Sequence, residues 1–254
     1  MLLAEAYLRV KNRHILYDYQ FPITAEWFDR KKLSRIAELS GESEGGRVKS
    51  VFFKINGQEY MLKHYHRGGM AARWLKDRYL YRGHRKVHVF REWRLLHQMQ
   101  RWHLPVPTPC AASYISKLIL YTADMILGSC RPARPLSSLL CEQDIEEKHW
   151  QLIGKTIRRF HNKNVFHADL NAYNILLLPE KDQVFLVDFD RSFICEKRNA
   201  WQQANLNRLK RSFKKLHKKH GDSFHYSKDN FLALVDGYHD NAYSPKFPRI
   251  NGGG

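Results

Sequence analysis

Three oxygen-bearing side chains are the first feature of the sequence that could do chemistry. Asp169 and Asn174 lie in the run His167-Ala-Asp169-Leu-Asn-Ala-Tyr-Asn174, and Asp188 lies in Leu186-Val-Asp188-Phe-Asp190. Between them are two short apolar runs, Ile175–Leu178 and Val184–Val187, around the polar turn 179–183. Paired as an antiparallel hairpin, the residues before the first run and at the end of the second come together. Hard oxygen ligands gathered in this way suit Mg2+, which binds through one or two carboxylates plus substrate phosphates. Phosphoryl transfer asks for such a set: a metal on the nucleotide phosphates and one carboxylate left to orient an attacking hydroxyl. A His-x-Asp pair by itself is an ordinary surface turn. Its combination with Asn174, the hairpin and Asp188 is what points to catalysis.

The elements that must hold this set can be read on either side of it. Upstream, the spacing predicts a helix over 144–163, with Trp150, Ile153, Ile157 and Phe160 on one face. Earlier still, Arg35–Lys63 reads as three strands. The first is RIAELS, followed by a glycine loop, GESEGG at 41–46; the next two, RVKSVFFKI and QEYMLK, flank Asn56-Gly57. An Asn-Gly pair between strand-like runs signals a tight hairpin, because both turn positions need positive φ. A helix over Val89–Trp102 stops at Leu104-Pro105-Val106-Pro107. Strand-like runs near 110–115 and 118–126 follow, and then a linker at 131–135, with the hinge of the chain expected near 124–128. Downstream, Trp201–His220 reads as a basic helix, and 251–254 as a frayed tail. Strands first and helices later give an α+β chain of two packed lobes, divided as 1–130 and 131–254.

Composition bounds the partners. The 254 residues carry 43 Lys+Arg against 25 Asp+Glu, a formal net charge of +18. A hydrophobic fraction of 43% with 13% aromatics excludes global disorder. No apolar run approaches the ~18 residues of a membrane span; the best, Leu104–Ala123, is broken by prolines and Lys117. Glu5 and Arg9 interrupt the N-terminal stretch, which does not read as a signal peptide. Cys110, Cys130, Cys141 and Cys195 lack metal-ligand spacing and read as buried small hydrophobes of a reduced, soluble, cytosolic chain. The charge asks for a polyanion: nucleic acid, an acidic membrane surface or a phosphorylated substrate.

That charge is concentrated in two places. Segment 67–91 holds Arg67, Arg73, Lys76, Arg78, Arg82, Arg85, Lys86 and Arg91 against the single acid Asp77. Segment 207–220, NRLKRSFKKLHKKH, surrounds a stripe of Leu206, Leu209, Phe213 and Leu216 with base. The stripe could pack on the core beneath a solvated basic face, or the helix could lie on an anionic bilayer. The two readings are compatible.

The pattern His167-x-Asp169-Leu-x-x-x-Asn174, then a strand into Asp188-Phe189, resembles the catalytic and metal loops of the protein-kinase-like fold. Within that fold, FHADLNAYNILL at 166–177, VDFDR at 187–191, LKHYHRGG at 62–69 and FREWRLL at 90–96 resemble the bacterial lipopolysaccharide kinases, Kdo kinases above all. The resemblance covers about 35–215. It implies a β-rich N-lobe with the basic insertion 67–91, a reduced helical C-lobe, and ATP and Mg2+ as cofactors. It also implies phosphorylation of 3-deoxy-D-manno-octulosonic acid (Kdo) on a lipid A precursor, at its 4-hydroxyl. By position, Asp169 would be the catalytic base, Asn174 and Asp188 the Mg2+ ligands, and Lys63 the contact to the α and β phosphates, oriented by Glu92. Backbone amides of Gly41, Gly45 and Gly46 would cover the phosphates.

Two departures stand out: the loop lacks G-x-G-x-x-G, and Asp190 replaces the usual glycine after Asp188-Phe189. Asp190 could pair with Arg191 or support the site from behind. Glu92, flanked by Arg91 and Arg94, could equally form a surface ion pair. His167 reads as a structural hydrogen-bonder, and His64, His66, His84 and His88 as solvated. The short stretch after Asp190 contains no Ala-Pro-Glu and suits a compact, non-protein acceptor. The expected setting is peripheral, on the cytoplasmic face of a Gram-negative inner membrane, with the anionic surface met through 67–91 and 207–220. Other acceptors, such as a core heptose or an aminoglycoside-like sugar, stay open, although a polycationic acceptor would want an acidic cleft. So does a catalytically idle module binding nucleic acid, which would have no use for the intact set at 169, 174 and 188.

Overall fold

The Asn56-Gly57 hairpin forms as its chemistry requires: both residues take positive φ, 51° and 75°, and join strands Ser50–Ile55 and Gln58–His64 in register. These strands lie inside a large antiparallel sheet. In the computed structural model, which describes residues 5–42, 50–65, 79–80, 87–117, 120–195 and 200–240, that sheet is made of β1 (Glu5–Val10), β2 (Arg13–Asp18), β3 (Glu38–Glu42), β4 (Ser50–Ile55), β5 (Gln58–His64), β6 (Tyr79–Leu80), β7 (Pro109–Lys117) and β8 (Leu120–Gly128). Its order is β1-β2-β7-β8-β5-β4-β3, with β6 beside β8. Helix α1 (Arg30–Ile36) and a short 3-10 turn (Ala25–Phe28) cover one side, and α2 (His88–Arg101) packs on β7 and β8.

Two features differ from expectation here. The first predicted strand starts at Glu38 rather than Arg35. Asp29 caps the chain by accepting from the Lys31 and Lys32 amides, and buried Leu33 anchors the resulting helix. Strands β1 and β2 carry no readable period: β1 is an edge strand exposed along nearly its whole length. The hairpin nevertheless joins the 25–36 segment in a second core, where Ile15, Trp27, Phe28 and Leu33 meet Phe53, Tyr60 and Ile126.

Beyond Gly128 the chain turns helical. The 124–128 stretch expected as hinge lies within β8, and the connection follows it. The expected linker at 131–135 already contains β9 (Arg134–Pro135), which pairs with β11 (Ile175–Leu178). Then come α3 (Leu136–Glu142), α4 (Glu147–Asn162), β10 (Val165–Phe166), β12 (Gln183–Leu186), β13 (Phe193–Ile194), α5 (Trp201–His220) and α6 (Lys228–His239). The apolar face of α4 is fully inside: Trp150, Ile153, Ile157 and Phe160 are buried. In α5, Leu206, Leu209, Phe213 and Leu216 are likewise buried, while Arg211, Lys214, Lys215, Lys218 and Lys219 are exposed, so the stripe packs on the core beneath a basic face. Gly45, Gly46, most of the basic segment 67–91 (67–78 and 81–86) and the tail 251–254 lie outside the described residues. Among the described residues no helix is long and apolar enough to cross a membrane.

Helix α4, which delivers the chain to the 167–174 loop, crosses α6 at two glycines. A Cβ on Gly154 would collide with the Leu234 carbonyl and come within 2.7 Å of the Tyr238 amide; one on Gly237 would run into the Gln151 backbone. Alanine favours a helix interior by ~1 kcal/mol, but backbone against Cβ cannot yield as a side chain can. Gly154→Ala is therefore expected to lose stability by about 1–3 kcal/mol, seen as a lower urea midpoint. An unchanged or higher midpoint would mean that the helices are not packed this closely.

Candidate active site

The hairpin of β11 and β12 sets the register of the site. Ile175 pairs with Leu186, and the Val187 amide donates to the Asn174 carbonyl at 3.0 Å, so Asn174 and Asp188 emerge at the same end of the hairpin. Asp188 has φ 64°, a left-handed conformation that aspartate tolerates better than most residues. The next positive φ in this loop falls on Arg191, at 61°; the backbone makes no demand for glycine at 190. Asp190 lies 3.9 Å from the Arg191 guanidinium, and burial pushes its carboxyl above the ordinary value.

The 167–174 loop is tied to this hairpin by its own polar groups. His167 Nδ1 accepts from the Asp169 amide at 3.1 Å, and Nε2 contacts the Val187 carbonyl at 3.1 Å, which makes Nε2 the protonated nitrogen. Burial holds its pKa below the usual value, so the ring stays neutral in this bridging role. The Asn174 amide donates to the Asp169 carbonyl at 2.9 Å, and Asn171 Oδ1 accepts from the Tyr173 and Asn174 amides. The Asp169 carboxylate is left half-exposed at the surface of the loop.

From the sheet, β5 delivers Lys63. Its Nζ lies 2.7 Å from Asp188 Oδ1, 3.6 Å from Glu92 Oε1, and 4.4 Å from the centre of the Tyr65 ring. Tyr65 donates to Glu92 Oε2 at 2.7 Å. Glu92 shares the buried face of α2 with Leu96 and Met99. The side chains of Lys63 and Glu92 are only 8% and 3% exposed; such burial is tolerable only for charges that are paired. Burial works against the Lys63 ammonium, but Glu92 and Asp188 outweigh it and hold its pKa above the ordinary value. Burial raises Glu92 to about 7 against the pull of Lys63, and Lys63 draws the Asp188 carboxyl below its usual range. The surface alternative for Glu92 is not adopted: Arg94 is engaged by Glu5 at 2.6 and 2.9 Å.

A third element, unread as part of the site from sequence, is α5. Asn205, buried within its apolar stripe, accepts from the His167 amide at 3.2 Å and donates to the His167 carbonyl at 3.0 Å. Ser212 accepts from the Ala172 amide, and Ser192 from the Ala168 amide. Arg208 lies between Asn205 and Ser212 on the same line of the helix. Its Nε donates to Asp169 Oδ1 at 3.0 Å, and its Nη2 reaches the same oxygen. The signal was present: Asn205 is four residues before Leu209 and eight before Phe213, a polar residue in a buried stripe, which needs a partner.

Gly41 lies at a bulge in β3 with φ 136°, against the Arg131 guanidinium. Two histidines expected to be solvated are engaged: His64 pairs with Asp124, and His88 with the Tyr121 hydroxyl at 2.7 Å, where burial pushes it down to about 3. His66 and His84 lie outside the described residues. Of the four cysteines only Cys110 is fully buried. Among the described residues no three His, Cys, Asp or Glu side chains gather around one point. The available metal donors are one carboxylate and one amide, Asp188 and Asn174, which fit Mg2+ because that ion takes few protein ligands and completes its shell with phosphates and water.

Comparison with known proteins places the chain in a family. Residues 31–238 match the family described as lipopolysaccharide kinase (Kdo/WaaP). The chain is 34% identical over 211 residues to 3-deoxy-D-manno-octulosonic acid kinase of Vibrio parahaemolyticus, covering 82% of this chain and 86% of that one. It is 32% identical over 243 residues to the protein of the same name from Actinobacillus succinogenes, covering 91% and 99%. With that of Xylella fastidiosa strain M12 it shares 38% over 174 residues, covering 68% and 69%. Among solved structures it is similar to WaaP in complex with acyl carrier protein, with a TM-score of 0.49 and 12% identity over 82% of this chain and 80% of that one.

The raised Glu92 carboxyl has a measurable consequence. Between its ordinary value of 4.5 and about 7 the folded state holds a proton that the unfolded chain has released, so this group's contribution to stability falls as pH rises through that window. Glu92→Gln removes the titration. Denaturant unfolding from pH 4.5 to 8 is expected to show wild type losing stability relative to the variant up to about pH 7 and running parallel above it. Parallel behaviour throughout would place Glu92 in water.

Proposed function

The chain belongs to the lipopolysaccharide kinase (Kdo/WaaP) family, and on that premise we propose that it transfers the γ-phosphoryl group of ATP to the Kdo sugar of a lipid A precursor, at its 4-hydroxyl. The observation that carries this reading is the meeting of Lys63, Glu92 and Asp188 beside the loop that presents Asp169 and Asn174. Residues 1–130 and 131–254 act as nucleotide-binding and catalytic lobes of one domain.

Each residue then has a task. Lys63, kept charged and aimed by Glu92 and Tyr65, donates to the nucleotide phosphates, releasing part of its hold on Asp188. Asp188 and Asn174 would hold Mg2+, which would offset the negative charge of the phosphates. Asp169 accepts the proton of the sugar hydroxyl as its oxygen bonds to the γ-phosphorus and the bond to the β-γ bridging oxygen breaks, leaving ADP. His167 keeps the loop in register with the hairpin and moves no proton.

The setting we infer is peripheral, on the cytoplasmic face of the inner membrane of a Gram-negative bacterium. The exposed basic face of α5 supports this reading, because each basic side chain near an anionic bilayer adds ~1 kcal/mol of attraction.

Purified protein given Mg-ATP and a Kdo-bearing lipid A precursor is expected to phosphorylate it. No transfer, with a control kinase active on the same substrate, would sink the proposal. Asp169→Ala is expected to lower kcat by roughly 10²–10⁴-fold with the far-UV spectrum unchanged, and retained turnover would remove Asp169 from its role. For the membrane, Lys214→Glu with Lys218→Glu is expected to weaken cosedimentation with anionic vesicles about tenfold or more at low salt. Unaltered binding would take α5 off the bilayer.

A further inference from the structure

Arg208 contacts the carboxylate proposed as the base, and it is not a stray surface side chain. Helix α5 is pinned to the loop on either side of it, by Asn205 clasping the His167 backbone and by Ser212 on the Ala172 amide, and from behind by the buried Leu209 and Phe213. The guanidinium is thus delivered to the base by a rigid element.

The geometry of the pair leaves both partners unfinished. Nε and Nη2 converge on one oxygen, Oδ1, instead of forming the two-oxygen fork of a closed arginine–carboxylate pair. Among the described residues Oδ2 has no arginine on it, and Nη1 has no carboxylate. Both side chains are about half-exposed, 46% and 51%. An arginine held in this way, with donors to spare beside the base, fits a second anion.

We propose that Arg208 reads the acceptor: it holds Asp169 by Oδ1, leaves Oδ2 for the attacking hydroxyl, and presents its remaining N–H groups to the carboxylate of the acid sugar. This rests on the reading of the acceptor as Kdo, a sugar acid. Arg208 is then a specificity-determining residue, and the substrate carboxylate on its spare N–H groups sets the hydroxyl at Oδ2. A neutral hexose in the same place would leave those groups without an anion and its hydroxyl less firmly held.

The test compares the Kdo-bearing lipid acceptor with its methyl ester, in which the carboxylate is neutral. Wild type is expected to lose roughly ten- to a hundredfold in kcat/KM on the ester, the worth of one charge-assisted pair. Arg208→Gln is expected to raise KM for the acid by a similar factor, to leave KM for ATP unchanged, and to treat acid and ester alike; Arg208→Lys is expected to recover part of the preference. Equal use of acid and ester by wild type overturns the proposal while leaving the kinase activity in place. So does an Arg208→Gln enzyme that keeps the wild-type preference and loses only kcat, the mark of a residue that merely positions Asp169. A wild type inactive on both acceptors overturns the proposed function, and this inference with it. The acid–ester comparison on wild type needs no variant to fold.

Discussion

A buried lysine needs a reason to be buried, and Lys63 has two, drawn from opposite parts of the molecule. Glu92 comes from the helix packed on the sheet, and Asp188 from the loop after the β11–β12 hairpin. Taking these charges out of water is costly, and removing any one strands the others. The ammonium therefore acts as a tie between the strand-rich and helix-rich parts, and on the function proposed above the tie lies at the nucleotide phosphates. Tyr65 completes it: the ring lies beneath the ammonium, and the hydroxyl fixes the far oxygen of Glu92.

The second constraint is on the 167–174 loop, which has little regular structure and must hold Asp169 and Asn174 still. Backbone polar groups in such a loop need partners. They find them in three elements: Val187 beside the hairpin through His167, Ser192 after it, and Asn205 and Ser212 of α5. Seen in this way, α5 has three uses at different positions around its axis. Its apolar stripe fills the core, its polar line 205-208-212 supports and addresses the site, and its remaining lysines and arginines face solvent. The net charge of +18, which first admitted three kinds of polyanion, becomes specific here, because one of the basic residues of α5 touches the carboxylate proposed as base.

Much was legible beforehand because it rests on local rules. The Asn56-Gly57 turn needs positive φ, α4 declares its face by period, α5 runs Trp201–His220 as its sequence reads, and the spacing of Asp169, Asn174 and Asp188 presupposes a hairpin. What was missed of the fold has little local signal. Strand β1 is an exposed edge with no alternation, α1 depends on the Asp29 cap and one buried leucine, and β9 is two residues recruited by β11. His64 and His88 looked solvated because their partners, Asp124 and Tyr121, are distant in sequence and meet them only across or beside the sheet.

By itself, the sequence determined the chemical inventory and the register of the hairpin: which oxygens and which lysine exist, and that two of the oxygens share one end. Residue type and short spacing suffice for that, since hairpin pairing is set within a few residues. Only the tertiary structure decided how these groups pair. Whether Glu92 turned to Arg94 or inward to Lys63 depended on Glu5, eighty-odd residues away, claiming Arg94 and on burial closing over the ion pair. Whether the basic helix was a surface ornament or part of the site depended on Arg208 and Asn205 arriving at a loop almost forty residues earlier in the chain. Ion pairs and buried hydrogen bonds draw their energy from the surroundings that exclude water, and those surroundings exist only after the chain has packed.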